Sequence, residues 1–82
     1  MARIRSLKHS TEQARLPRTE VDCVYSVVRL PDGERLLRLA TLGSDERKSE
    51  PKASQIIELD ESIARRLFKV MHDVFPGIAA TS

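Results

Sequence analysis

Cysteine occurs once in this chain, at Cys23. That excludes an internal disulfide and a cysteine-built zinc centre. It also suits a reducing compartment, where a lone Cys in an apolar run is expected to be a small buried hydrophobe. Tryptophan is absent, tyrosine occurs only at Tyr25, and phenylalanine only at Phe68 and Phe75. So few rings exclude an extended platform of stacked aromatics. The glycines, Gly33, Gly43 and Gly77, stand far apart, so no glycine-rich loop is present to cradle a phosphate. No apolar run nears the roughly 18 residues of a membrane span. The basic start "MARIRSLKHS" is not followed by an apolar stretch, so a secretory signal is not expected. These absences predict a soluble, cytoplasmic protein with no cofactor.

Catalytic groupings are missing as well. His9 stands near the start and His72 on the polar side of a helical pattern, without the spacing that metal ligation on one helix face requires. No serine is flanked by the glycines of a nucleophile elbow. A chain of 82 residues can hardly enclose a pocket of ordinary size, and enzymatic activity is not expected.

What the chain does contain is charge. Charged residues make up 32% of it and apolar ones 40%, which supports one thin core, and small cores of this kind often gain stability through association. The net charge of +2 is unevenly spread. Residues 1–19 hold Arg3, Arg5, Lys8, Arg15 and Arg18 against Glu12 alone, whereas the remainder is net acidic. The basicity therefore belongs to an arm. Residues 1–19 show no clean hydrophobic period and end near Pro17, so they read as a flexible arm with a short helical tendency near Thr11 to Leu16.

The rest reads as one domain over residues 20–78, with 79–82 as a disordered tail. Glu20 to Leu30, "EVDCVYSVVRL", is rich in β-branched residues and predicts a strand that is apolar on both faces. Pro31-Asp32-Gly33 is a tight-turn signature, and Glu34 to Leu42, "ERLLRLATL", is the returning strand of a hairpin. Gly43 to Lys52 has no hydrophobic residue and reads as a solvated loop. Ala53 to Leu59 alternates as a third strand, Asp60 is the predicted N-cap, and a helix runs to about Phe75 before Pro76-Gly77 stops it. Its apolar stripe is Ile63, Ala64, Leu67, Phe68, Met71, Val74 and Phe75. The predicted architecture is α+β: a small antiparallel sheet of three to four strands followed by one long amphipathic helix, β-β-β-α.

Two readings of function follow from these residues. Tyr25 with Arg29, Arg35 and Arg38 on the hairpin, and Arg47, Lys48 and Lys52 on the loop, form a candidate single-strand nucleic-acid surface. Bases would stack on the ring while cations track the backbone. Arg3, Arg5 and Lys8 of the arm would add nonspecific attraction to phosphates. Alternatively, the mixed-charge domain is a protein-interaction module or regulatory accessory subunit whose basic arm docks on a protein partner.

The run "ERLLRLATLGSDERKSEPKASQIIELDESIARRLFKVM" resembles the single-stranded-DNA-binding domain of transcriptional coactivator p15 (positive coactivator four) and its small bacterial relatives. The matching elements are hairpin strands, the charged loop Gly43 to Lys52, the pattern Ser54, Ile56, Ile57, and Leu59-Asp60 opening one long helix. The resemblance covers roughly residues 20–76 and leaves out the arm. It implies a homodimer whose helices pack between subunits, here through Leu67, Phe68, Met71, Val74 and Phe75, with sheets forming grooves for melted DNA or RNA. Two departures stand out: this domain is net acidic, and it is poor in aromatics beside the family's binding faces.

Overall fold

The structure, a computed structural model, describes residues 1–43 and 53–78 of the chain. Strand β1 is Ala2–Arg3, β2 is Cys23–Arg29, β3 is Arg35–Leu42 and β4 is Ala53–Leu59; helix α1 is Glu61–Val74, followed by a single 3₁₀ turn at Pro76–Ile78. The sheet order is β1-β4-β3-β2. The fold is thus α+β, a four-stranded sheet followed by one helix. No described helix is long and apolar enough to cross a membrane.

The hairpin is closed by local chemistry. Gly33 adopts φ 91°, a backbone conformation open to glycine at little cost, and its N–H donates to the Leu30 carbonyl at 2.9 Å. The Asp32 carboxylate accepts from the Glu34 N–H at 2.8 Å, an Asx-type contact that fixes the return. The register that follows sets Cys23 opposite Thr41, Tyr25 opposite Leu39, Val27 opposite Leu37 and Arg29 opposite Arg35. Between β3 and β4, Leu39 faces Ile57 and Arg38 faces Glu58, with a register shift between Thr41 and Leu42.

Because directly opposed residues share a face, the sheet has two distinct sides. One carries Leu36, Arg38, Ala40 and Glu58, and on it Leu36, Ala40 and Glu58 are buried. The other carries Tyr25, Val27, Arg29, Arg35, Leu37 and Ile57, all of them exposed, together with half-buried Leu39 and, opposite Leu37, the buried Leu59. Leu59 at the end of β4 and Ile63 in the first helical turn complete the buried apolar set. This core is small. The chain exposes 7857 Å², against about 5,000 Å² for an ordinary folded chain of the same mass.

The arm differs from the sequence reading at its start. Ala2 and Arg3 pair in parallel with Ile57 and Glu58, and the Ile4 N–H donates to the Glu58 carbonyl at 2.8 Å. The sheet is therefore mixed, where a purely antiparallel one was expected. An open edge on β4 supplies unpaired backbone groups, and Arg3 fastens the added strand by ion pairs to Glu34 at 2.8 Å and Asp60 at 3.3 Å. Between Thr11 and Leu16 there is a bend and irregular chain, with no helix. Strand β2 begins later than expected, at Cys23, whose side chain is exposed on the sheet edge rather than buried, and the helix ends at Val74 with Phe75 as its cap. The loop Gly43 to Lys52, except Gly43 itself, and the tail 79–82 lie outside the described residues.

Asp60 caps the helix as its type and position predict. Its Oδ1 accepts from the Ile63 N–H at 2.9 Å. That N–H, and then the Arg3 guanidinium, hold its carboxyl below the usual carboxylate range. A carboxylate whose folded value is depressed stabilises the fold above its unfolded value and loses that contribution as pH falls through the folded value. Asp60→Ala is accordingly expected to lower the denaturation midpoint at neutral pH. The gap to the unaltered chain should narrow on acidification, and Asp60→Asn should lose less than Asp60→Ala. Thermal melts followed by circular dichroism across the acid range measure all three.

Candidate nucleic-acid interface

The cations singled out in the sequence separate sharply once their partners are known. Arg3 is bound to Glu34 and Asp60. Arg38 pairs with Glu58 at 2.7 Å, and its guanidinium also reaches the Met1 sulfur at 3.7 Å. On the helix, Arg65 pairs with Glu61 at 2.8 Å, four residues away, and Arg66 donates to the Leu7 carbonyl at 2.8 Å. These side chains are engaged within the chain. Arg5 and Lys8 are exposed and make no ion pair among the described residues.

Arg29 and Arg35 are different. They stand directly opposite one another across β2 and β3, both exposed, and neither meets a carboxylate among the described residues. The Asp22 carbonyl accepts from the Leu42 N–H and the Leu30 N–H donates to the Glu34 carbonyl, each at 2.8 Å. That phase makes the even-numbered residues of β2 the hydrogen-bonded partners of β3, so Arg29 and Arg35 form a non-hydrogen-bonded pair. In such pairs the side chains come closest, and like charges directly opposite are unfavourable.

Tyr25 lies on the same face two pairs further along β2 and is 75% exposed. Between them Val27 and Leu37 form an apolar cross-strand pair, 56% and 36% exposed. A shallow, open depression of about 530 Å³ adjoins this patch, lined by Val27, Arg35, Leu37, Leu59, Glu61 and Ala64 among others. The acidic groups along this margin are already matched: Glu34 and Asp60 by Arg3, Glu61 by Arg65. Arg35 therefore keeps its charge uncompensated at the rim.

No family model, curated protein or solved structure matches the chain. The resemblance to the coactivator family thus rests on the residues quoted for it, and the site rests on its own geometry.

The structure brings together Tyr25, Arg29 and Arg35, and it removes Arg38 from the group. Arg38 lies opposite Ser26, on the other face from Tyr25. The signal was present in the sequence: counting outward from the Pro31-Gly33 turn alternates Arg35 and Arg38 to opposite faces. Arg3 leaves the set of free cations for a reason that composition could not show, namely two carboxylates far away along the chain. Arg47, Lys48 and Lys52 lie outside the described residues. Val27 and Leu37 were not singled out as site residues, although they lie between the ring and the cations. On the helix, Leu67 and Met71 are half-buried, while Phe68, Val74 and Phe75 are exposed. Beside this stripe, Leu7 to Ser10 of the arm adjoin Arg66, Val70 and Val74 around a depression of about 440 Å³. Among the described residues, no cluster of His, Cys, Asp and Glu gathers to hold a metal.

Arg38 thus has a role in stability. Removing it strands the buried Glu58 carboxylate, at a cost of roughly 1–3 kcal/mol for an unsatisfied polar group, the lower end applying because Arg38 is itself part-exposed. Arg38→Ala is expected to lower the urea midpoint, and Arg38→Ala with Glu58→Gln to recover part of the loss. Chemical denaturation of the two variants measures this.

Proposed function

We propose that the chain is a non-enzymatic nucleic-acid-binding protein that takes single strands of DNA or RNA on the open face of its sheet, in the manner of a transcription or DNA-transaction accessory factor. The observation that carries this reading is the pair Arg29 and Arg35, opposed across two strands without a carboxylate between them, on the face that exposes Tyr25. Two cations held side by side cost stability in the free protein, and a phosphate placed between them offsets that cost. A base stacked on Tyr25 would cover an otherwise hydrated ring, and stacking of this kind tolerates any sequence. Val27 and Leu37 offer apolar surface to the sugar or to a second base. The exposed cations Arg5 and Lys8 add attraction from the arm.

The same face favours one alternative. Exposed Val27, Leu37 and Ile57 beside uncompensated arginines would also suit an acidic segment of a protein partner, with apolar contacts at the centre and charge at the margin.

Fluorescence anisotropy with labelled single-stranded DNA, single-stranded RNA and duplex oligonucleotides, at two salt concentrations and with the full chain, decides between these. Tyr25→Ala is expected to weaken single-strand binding roughly 5- to 100-fold, from stacking worth about 1–3 kcal/mol per base, while leaving the melting midpoint unchanged. Arg35→Glu should abolish binding and yet raise stability by roughly 0.2–1 kcal/mol, since it replaces a like-charged cross-strand pair with an opposite one. Equal affinity for single strands and duplex, or affinity indifferent to both substitutions, would reject the sheet site. Absence of any binding would leave the acidic protein partner as the reading to pursue.

A further inference from the structure

Strand β2 is the free edge of the sheet. The hydrogen bonds at its two ends commit the even-numbered residues to β3, so Cys23, Tyr25, Val27 and Arg29 direct their backbone N–H and C=O groups outward. No backbone hydrogen bond from elsewhere in the described chain reaches them. Protein edges are usually protected by proline, lysine, a bulge, or extreme shortness. Here the edge runs for seven residues, "CVYSVVR", with no proline or lysine and one charge, at its end. The sheet's one register shift lies on the other side of β3. Val24, Tyr25 and Val27 are all at least half exposed along this edge.

We infer that β2 pairs antiparallel with β2 of a second copy, about a two-fold axis passing beside Ser26. The choice of a second copy over a foreign strand follows from self-complementarity. With the axis at Ser26, Tyr25 stands opposite the partner's Val27, Cys23 opposite the partner's Arg29, and Val24 opposite the partner's Val28. All four outward-directed residues then meet outward-directed residues, so each donates and accepts once, as in any hydrogen-bonded antiparallel pair. A register moved by two residues in either direction leaves an end residue of the strand without a partner inside it. Charge agrees: the single Arg29 lies six positions along the strand from its own symmetry mate, about 20 Å at strand rise. The apolar pairs cover the valines and the flank of the tyrosine, and a chain exposing this much surface has area to lose.

The pairing rests on the strand geometry and is independent of the nucleic-acid reading. If both hold, two Tyr25 rings and two Arg29–Arg35 pairs share one continuous eight-stranded surface, and a bound strand would cross from one copy to the other.

The test is the oligomeric state of the full chain without nucleic acid, by sedimentation equilibrium, together with oxidative crosslinking. A dimer is expected. Val27→Pro should convert it to a folded monomer, because the Val27 N–H faces the open edge and proline is tolerated there. Crosslinking gives the register even if that variant does not fold. Ser26→Cys, in a Cys23→Ser background, should oxidise to a covalent dimer, since thiols opposed across the axis fall within disulfide reach. Val24→Cys in the same background should not, being offset by four residues from its symmetry mate. A monomer at all concentrations would overturn the inference. So would a dimer indifferent to the β2 substitutions but lost on Phe68→Asp, which would place the contact on the helix.

Discussion

The structure turns on Asp60 and the arginine that reaches it. Asp60 joins the end of β4 to the start of α1, and its carboxylate meets both the exposed N–H of the first helical turn and the Arg3 side chain. Arg3 also holds Glu34, at the exit of the hairpin turn. Three segments distant in sequence, the first strand, the hairpin and the helix, thus converge on two side chains. This matters because the apolar core is too small to fix those segments alone. Leu36, Ala40, Leu59 and Ile63 bury little surface, and a few polar contacts of good geometry carry an unusual share of the orientation. Each is individually weak at an exposed site; together they define where the helix leaves the sheet.

That arrangement also divides the sheet. On the covered face the one charge buried among the described residues, Glu58, is matched by Arg38, as a buried carboxylate must be. On the open face charge is left unmatched, and the carboxylates that might have neutralised Arg35 are held by Arg3 and Arg65. The same ion pairs that settle the fold therefore keep the open face cationic, despite a domain that is net acidic. Net charge is a poor guide to such a surface; the pairing pattern is the better one.

Much of this was legible from the sequence. The Pro-Asp-Gly turn, the alternation around it and the three-and-four spacing after Ile63 specify the hairpin and helix, because each signal is local. Asp60 as a cap is equally local. Three things were not. Ala2–Arg3 forms a strand only because β4 offers an edge, and nothing in two residues announces it. The engagement of Arg3 depends on carboxylates far along the chain. The separation of Arg38 from Tyr25 was available in principle from counting register outward from the turn, but grouping cations by composition hides it. That Tyr25, Arg29 and Arg35 share a face was recoverable, because one strand pairing and one tight turn place all three.

The two-residue strand β1 has an effect out of proportion to its size. By lying against Ile57 and Glu58 it occupies part of the β4 side of the sheet, whereas β2 runs unpaired along its whole outer side. A sheet with both sides open can add copies without end and grow into a filament. If β2 pairs as inferred, the partly occupied β4 side offers a further copy only a short run to extend on, and a two-residue strand would favour a closed pair over a growing filament.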